Sequence, residues 1–348
     1  MLNKIGRDIP MELECLQGRR LYEGQFAMTE TAVRAGKPVK LHTPGEDKLV
    51  GSIDEAIEKV GLKDGMSISF HHHLRNGDYV MKLVMDRVQA KGIKDITILN
   101  SSLAPCHEFL IDMIKDGTVT AIETSGLRDA LGKFLSLNPG VLKRPVVIRS
   151  HGGRARAVCT GDAHIDVAFM GVPACDRRGN ATGRKGKSAC GALGYAMVDS
   201  HYADQTVLLT DNLIDNVYPI SIPQTDVDYI VEVEAIGDPE GIASGAVGIT
   251  KNPVQIKIAE MAAEFLDEAG IIQEGFSFQL GAGGAPLAVA KFIGEKLEKK
   301  GVVGGFGVGG ATGVLVSMLE KGHIKAIYDT QTFDTTAAAS LDTNPNHI

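Results

Sequence analysis

The chain of 348 residues contains no tryptophan, and aromatic residues make up only 5% of it. That leaves little material for base-stacking platforms or for an aromatic belt at an interface. Positive charge is also in short supply, with 36 Lys and Arg against 43 Asp and Glu and a net charge of -7. Nucleic-acid backbones are held by a surplus of basic residues, so a nucleic-acid partner is not expected. An anionic substrate would have to be held by a local cluster of Arg or Lys. The five cysteines (Cys15, Cys106, Cys159, Cys175, Cys190) show no C-x-x-C spacing. This argues for reduced thiols in the cytoplasm and against a disulfide framework or a metal site. The N-terminus, MLNKIGRDIPMELE, is charged throughout and has no apolar core of a signal peptide. The uncharged run Val302 to Leu319 is broken by glycine in its first half, which makes a poor membrane helix and suits buried backbone better.

What the chain does have is glycine, 41 residues of it, and an apolar fraction of 44%, which fits an α/β protein with many turns at strand ends. The stretch Gly275 to Lys291, GFSFQLGAGGAPLAVAK, shows the pattern best. Phe276, Phe278 and Leu280 read as a buried strand, Gly281 to Gly284 as a turn of small residues, and the segment opened by Pro286 as a helix. Glycines at such a junction let a ligand approach the backbone, and free N–H groups at the helix start favour negative charge. A tight β-α turn that binds nothing has the same signature.

Residues 1–48 are polar and irregular, with Arg19, Arg20 and Pro38 among turn residues, and are expected to form an extension over the first domain. Ser52 and Glu55 form a capping box for a helix over Ile53 to Val60. A strand over Met66 to Phe70 then leads into the loop His71 to Gly77, and Asp78 caps a helix reaching about Ala90. Strands at Ile96 to Leu99 and Val119 to Glu123 flank a helix near Glu108 to Lys115, so strands and helices alternate as in a parallel sheet. Pro145 to Ser150, His164 to Asp176, Thr206 to Asp211 and Tyr229 to Ile236 read as further strands. The boundaries that follow are 1–48 extension, 49–236 first domain, 237–252 linker and 253–348 second domain.

The second domain repeats the first. Gly65-Met-Ser-Ile-Ser-Phe70 matches Gly275-Phe-Ser-Phe-Gln-Leu280, and Met113 to Ile122 matches Met318 to Ile327 in the same order and at nearly the same offset. After Ile327 the second copy has only YDTQTFDTTAAASLDTNPNHI left, so it is expected to be incomplete.

Four stretches carry candidate chemistry. His71, His72, His73, Arg75 and Asn76 follow a buried strand, where open parallel sheets bind ligands. Adjacent histidines in a loop converge poorly on a metal, so no metal is expected; hydrogen bonds to an oxyanion with Arg75 as a carboxylate clamp, or a plain solvated loop, are the readings left. Arg149, His151, Arg154 and Arg156 surround a Gly-Gly turn after another apolar strand, a local positive site unless the arginines merely pair with acids elsewhere. Arg177, Arg178, Arg184, Lys185 and Lys187 form a second basic loop, suited to a phosphate-bearing group or an acidic carrier protein. Finally, Gly305-x-Gly307-x-x-Gly310 with Asp329 downstream matches a dinucleotide fingerprint, although the strand before it would be only Val302-Val303.

Taken in order, SISFHHHLRNGDYV, RSHGGRARAV, HIDVAFMGVPACDRRGNATG and FSFQLGAGGAPLAVA resemble the alpha subunit of bacterial citrate lyase, over essentially the whole chain. The resemblance implies an α/β fold of two similar CoA-transferase-like (NagB/RpiA-like) domains with mainly parallel sheets, the second cut short. It implies a transferase that exchanges citrate for acetate on an acyl-carrier or CoA thioester, in a complex with a carrier protein (gamma) and a lyase (beta) subunit. No cofactor would be bound by the chain itself; the carrier's phosphoribosyl-dephospho-CoA arm would be a co-substrate. Gly283 and Gly284 would supply oxyanion N–H groups, His71 to His73, Arg75, Asn76, Arg149, His151 and Arg154 would hold citrate, and Gly281, Gly307, Gly309, Gly310, Arg184 and Lys185 would hold the thioester arm. Related transferases with a covalent route carry a glutamate where this chain reads Gly307-Val-Gly-Gly-Ala-Thr312, which favours direct transfer in a ternary complex. A nicotinamide oxidoreductase and a non-catalytic scaffold are the other readings.

Overall fold

The computed structural model describes residues 2, 6–14, 17–18, 36, 40, 47–243, 248–281 and 283–344. They belong to two compact units, 1–34 and 35–348. In the first, Leu2 bridges Asp8 in antiparallel fashion. The expected extension over 1–48, with Arg19, Arg20 and Pro38, falls largely outside the described residues.

The second unit alternates strands and helices. β1 (Leu49–Val50), α1 (Ile53–Lys59), β2 (Ser67–Phe70), α2 (Val80–Ala90), β3 (Ile96–Asn100), α3 (Leu110–Lys115), β4 (Val119–Thr124), α4 (Asp129–Leu137), β5 (Val147–Ile148), α5 (His151–Thr160) and β6 (Val167–Gly171) come first. A short hairpin, β7 (Ala174–Cys175) and β8 (Ala181–Thr182), precedes α6 (Gly194–Tyr202), β9 (Gln205–Thr210), β10 (Tyr229–Glu232) and α7 (Pro239–Ala243). β1, β10, β9, β6, β2, β3, β4 and β5 form, in that order, one sheet in which the paired strands are parallel. Its middle strands, SISF and VAFMG, are buried along their whole length, as strands covered on both faces must be.

The chain continues with α8 (Pro253–Glu268), β11 (Phe278–Gln279), α9 (Gly284–Lys300), β12 (Gly304–Ala311), α10 (Gly313–Glu320), β13 (Ile324–Thr332) and α11 (Thr335–Thr343). β11, β12 and β13 form a second parallel sheet in the order β11-β12-β13. This is the path of β2-α2-β3-α3-β4 over again, with a hydrophobic core of its own built on Leu280, Leu287, Ile293, Leu297 and Leu315. The repeat seen in sequence is therefore a repeat of topology. No helix among the described residues is long and apolar enough to cross a membrane.

Local sequence explains the helix starts. Ser52 caps α1 by accepting the Glu55 N–H at 3.1 Å, while the Glu55 carboxylate takes the Gly51 N–H at 2.8 Å. Asp78 accepts the Val80 N–H at 2.7 Å and so caps α2 from one residue outside the boundary at Tyr79. Three expectations are corrected. The Gly-Gly pair after Arg149 is no turn: Ser150 caps α5 through the Gly153 N–H, and both glycines lie in its first helical turn. The fingerprint Gly305 to Gly310 lies inside β12, paired on both edges, instead of in a strand-to-helix turn, so it cannot cradle a pyrophosphate. The expected linker from Gly237 is packed as far as Ala243: Asp238 N–H donates to Gly77 O at 2.8 Å, and a Cβ on Gly77 would stand 2.7 Å from the Ile242 nitrogen. Residues 244–247 of that segment lie outside the described ones.

Candidate active site

The carboxyl ends of the central strands meet at one place. The histidine loop leaves β2, Ser101 follows β3, Ser125 follows β4, and Gly171 ends β6. Chain direction alone brings these together, because adjacent strands are parallel.

The three histidines are a hydrogen-bonded array, and acceptor chemistry assigns their protons. His71 is buried, and its Nε2 lies 2.6 Å from the Gly171 carbonyl, which only accepts, so Nε2 carries the proton. The bare Nδ1 of His71 takes the His73 backbone N–H at 3.2 Å and faces His73 Nδ1 at 3.1 Å, which therefore carries a proton. Burial holds His71 below its ordinary pKa. His72 is held neutral more firmly: burial, with the neighbouring His151 adding to it, pulls its pKa down to about 3. Its Nε2–H donates to Gln331 Oε1 at 2.8 Å, and its Nδ1 accepts from the Ser101 hydroxyl at 2.5 Å. The rings of His151 and Tyr195 stand 5.8 and 5.1 Å from the His72 ring.

Arg75 sits at the mouth of this array with φ of 55°, a left-handed backbone unusual for a side chain of its size. Cys106 steadies that backbone, its thiol donating to Arg75 O at 3.4 Å and its N–H to Asn76 Oδ1 at 3.1 Å. Arg75 Nη2 donates to Thr332 O at 2.7 Å, and the guanidinium stacks on Phe333 at 4.6 Å. Burial lowers its pKa to about 10, so it is still a cation at neutral pH. His151, the first residue of α5, donates Nδ1–H to Ser125 Oγ at 2.8 Å, because the Ser125 hydroxyl is itself spent on Ser101 O. Its exposed Nε2 is thus a bare acceptor, and burial together with Arg128 keeps its pKa below the ordinary value.

Arg154 does not belong to the anion site expected of it. It is fully buried, and its guanidinium bonds Asp199 Oδ1 at 2.8 Å, Asp199 Oδ2 at 2.7 Å and Leu99 O at 2.8 Å. Asp199 also accepts the Ser69 hydroxyl, so the pair is a strut between α5, α6, β2 and β3. Arg149 pairs with Glu123 at the rim, and Asn76 serves as a brace for residue 106. Among the described residues nothing links the glycine turn to the histidines, and Gly283 N–H is already donated to Gly281 O at 3.0 Å, against its expected part as an oxyanion donor. Gly284 opens α9, crowded by the Thr250 backbone. Gly281 lies against Pro286, and Gly307 makes room for Leu315 of α10.

The second sheet reaches the histidines by another route, Gln331-Thr332-Phe333 at the end of β13. Ala192 N–H donates to Thr332 Oγ1 at 3.0 Å, Gly191 is glycine because a Cβ there would overlap Thr332, and Gly310 is glycine because a Cβ there would overlap the Phe333 ring. Gly309, with φ of 122°, allows the Leu280 carbonyl to come close. A cavity of about 320 Å³ opens behind β13, with Arg184, Lys325, Asp329 and Ser340 in its wall. Arg184 donates to Leu341 O at 3.2 Å there, while Lys185 is not among the residues that line this cavity. Ser101, Ser125, Arg128, Tyr195 and the 331–333 segment were not singled out in sequence. Ser101, Ser125 and Arg128 have only their position after a strand as a signal, which any loop residue shares, while Tyr195 in α6 and Gln331 and Thr332 in β13 carry none.

The fold is that of the CoA-transferase-like α/β proteins. It is similar to the alpha subunit of a malonate decarboxylase from Acinetobacter baumannii, with a TM-score of 0.62 at 16% identity over 83% of this chain and 52% of that one, a likeness of fold alone. The chain belongs to the citrate lyase alpha subunit (CitF) family, whose profile matches residues 46–348. It is 48% identical over 307 residues to the citrate lyase alpha chain of Haemophilus influenzae, covering 88% of this chain and 61% of that protein. The alpha subunit of citrate lyase from Streptococcus mutans, solved in complex with citrate, has a TM-score of 0.89 at 53% identity, over 98% of this chain and 66% of that one. The chain thus spans about three fifths of the length of the curated relative.

Proposed function

We propose that this chain carries the site at which a citrate lyase complex exchanges citrate for acetate on a carrier-borne thioester. Arg75 is the observation that carries the reading: a half-buried cation, held in a costly backbone conformation, at the carboxyl ends of the strands. Of the arginines expected to hold citrate, Arg154 is a strut and Arg149 is paired, which leaves Arg75 as the clamp, with His151 and Arg128 at the rim. Such a guanidinium offers a carboxylate two parallel donors.

β12 supplies no carboxylate over Gly304–Ala311, and the nearby Asp329 carboxylate is tied to the Gln331 N–H at 2.7 Å. This favours direct transfer over a glutamyl intermediate. A carboxylate oxygen of citrate attacks the acetyl thioester carbon and expels the thiolate, giving a mixed anhydride. The thiolate then attacks the citryl carbonyl and acetate leaves, so the thioester is conserved. Holding both reactants in line supplies most of the acceleration, since carboxylate and thiolate are already reactive forms. The cavity beside Arg184 suits the carrier's phosphate-bearing arm, with the carrier and lyase subunits as partners.

The test is to incubate the protein with acetyl-CoA as carrier mimic and citrate, and to follow citryl-CoA by mass spectrometry. Arg75→Gln is expected to raise the citrate requirement at least tenfold, the cost of one charge-assisted pair. Unchanged citrate dependence in that variant would refute the clamp.

A further inference from the structure

β13 contains one residue more than its partner. Gly309 pairs with Asp329 and Ala311 with Thr332, so a bulge falls between them. Bulges re-aim side chains, and this one is pinned: Asp329 Oδ1 accepts the Gln331 N–H at 2.7 Å, and Oδ2 faces the Thr332 hydroxyl at 3.4 Å. The consequence is that Gln331 leaves its own sheet. It bridges Leu193 and places Oε1 on His72 Nε2–H, while its Nε2 turns to the His72 carbonyl at 3.4 Å.

Ser101, His72 and Gln331 share the layout of a nucleophile, a base and an orienting amide. Two facts argue against a nucleophilic serine. Ser101 is completely buried, and its oxygen already accepts the His72 backbone N–H at 3.1 Å. The arrangement orients a ring without activating a hydroxyl.

We propose that Gln331, delivered by the Asp329-pinned bulge, is a positioning residue that holds His72 as the Nε2–H tautomer and so ties the second sheet to the loop that presents Arg75. The same segment grips Arg75 directly through Thr332 O and the Phe333 ring, so loop and bulge are joined at Arg75 as well as at His72. The link to substrate rests on the reading of Arg75 as the citrate clamp; the His72–Gln331 pairing does not.

The experiment reads the two separately. In the ¹⁵N-histidine-labelled full chain at pH 7.5, His72, assigned with a His72→Gln variant, should show one protonated Nε2 and one bare Nδ1. Gln331→Leu should average the two nitrogen signals and weaken citrate binding by calorimetry about tenfold, the cost of an unpaired buried donor. Asp329→Ala should cause the same averaging without touching the ring. Gln331→Glu, which keeps an acceptor for Nε2–H, should retain the single tautomer and bind citrate within about threefold of the parent. An unchanged His72 signature in Gln331→Leu and Asp329→Ala overturns the proposal. A changed signature with unaltered citrate affinity overturns the tie to Arg75. If the parent binds no citrate the clamp reading falls, and the nitrogen signals still decide the pairing. Should Gln331→Leu fail to fold, Asp329→Ala and Gln331→Glu decide it.

Discussion

Replacing Arg154 by methionine separates a strut from a clamp. The guanidinium is 1% exposed, its partner Asp199 is 0% exposed, and they meet through two bonds of 2.7 and 2.8 Å. Removing one partner of such a pair leaves a charge buried alone, which costs about 3–5 kcal/mol. Arg154→Met and Asp199→Leu should each lower the unfolding free energy by that amount in urea melts. The double variant should cost far less than the sum, about 1–2 kcal/mol, because no lone charge remains and only the Ser69 hydroxyl and Leu99 carbonyl lose a partner. Loss of Arg154 Nε, buried without a partner, removes a small penalty as well. Additive costs in the double variant would refute the strut. So would an Arg154→Met protein of parental stability that no longer binds citrate, since that is how a clamp behaves.

Three further outcomes are expected. His71 and His72 have pKa values depressed by burial, His72 to about 3 from its ordinary 6.5, so their neutral forms stabilise the fold fully above pH 6.5 and that stability is lost as pH falls. Urea melts should weaken by up to about 1.4 kcal/mol per pH unit for each histidine below 6.5, and His72→Gln should flatten the slope; an equal slope in that variant would count against the array. His151 presents a bare Nε2 at the rim, so binding of a tricarboxylate should draw a proton onto it, seen near pH 7 as a buffer-dependent heat in calorimetry that His151→Gln abolishes. Gly310→Ala should displace the Phe333 ring that Arg75 stacks on, costing about 1–3 kcal/mol of stability and weakening citrate binding together; a change in stability alone would uncouple Phe333 from the site.

The sequence by itself determined the architecture and its repetition. Apolar strand runs, helix caps such as Ser52 and the two matched segments are local signals, set by the residues that make each element, and they reappear as two parallel βαβαβ units. It also singled out the loop after β2 and His151 as candidates, because ligand sites follow strand ends. Only the tertiary structure decided which charges are buried in pairs and which stand at the strand ends. Arg75 and Arg154 look alike in sequence, yet one meets a carbonyl at the mouth and the other a buried carboxylate from α6, a partner 45 positions away. The glycine fingerprint became a strand because both edges of Gly304–Ala311 found partners, and the 331–333 segment entered the site through a single extra residue in β13. Pairing across the chain sets each of these outcomes, and no spacing along the sequence encodes it.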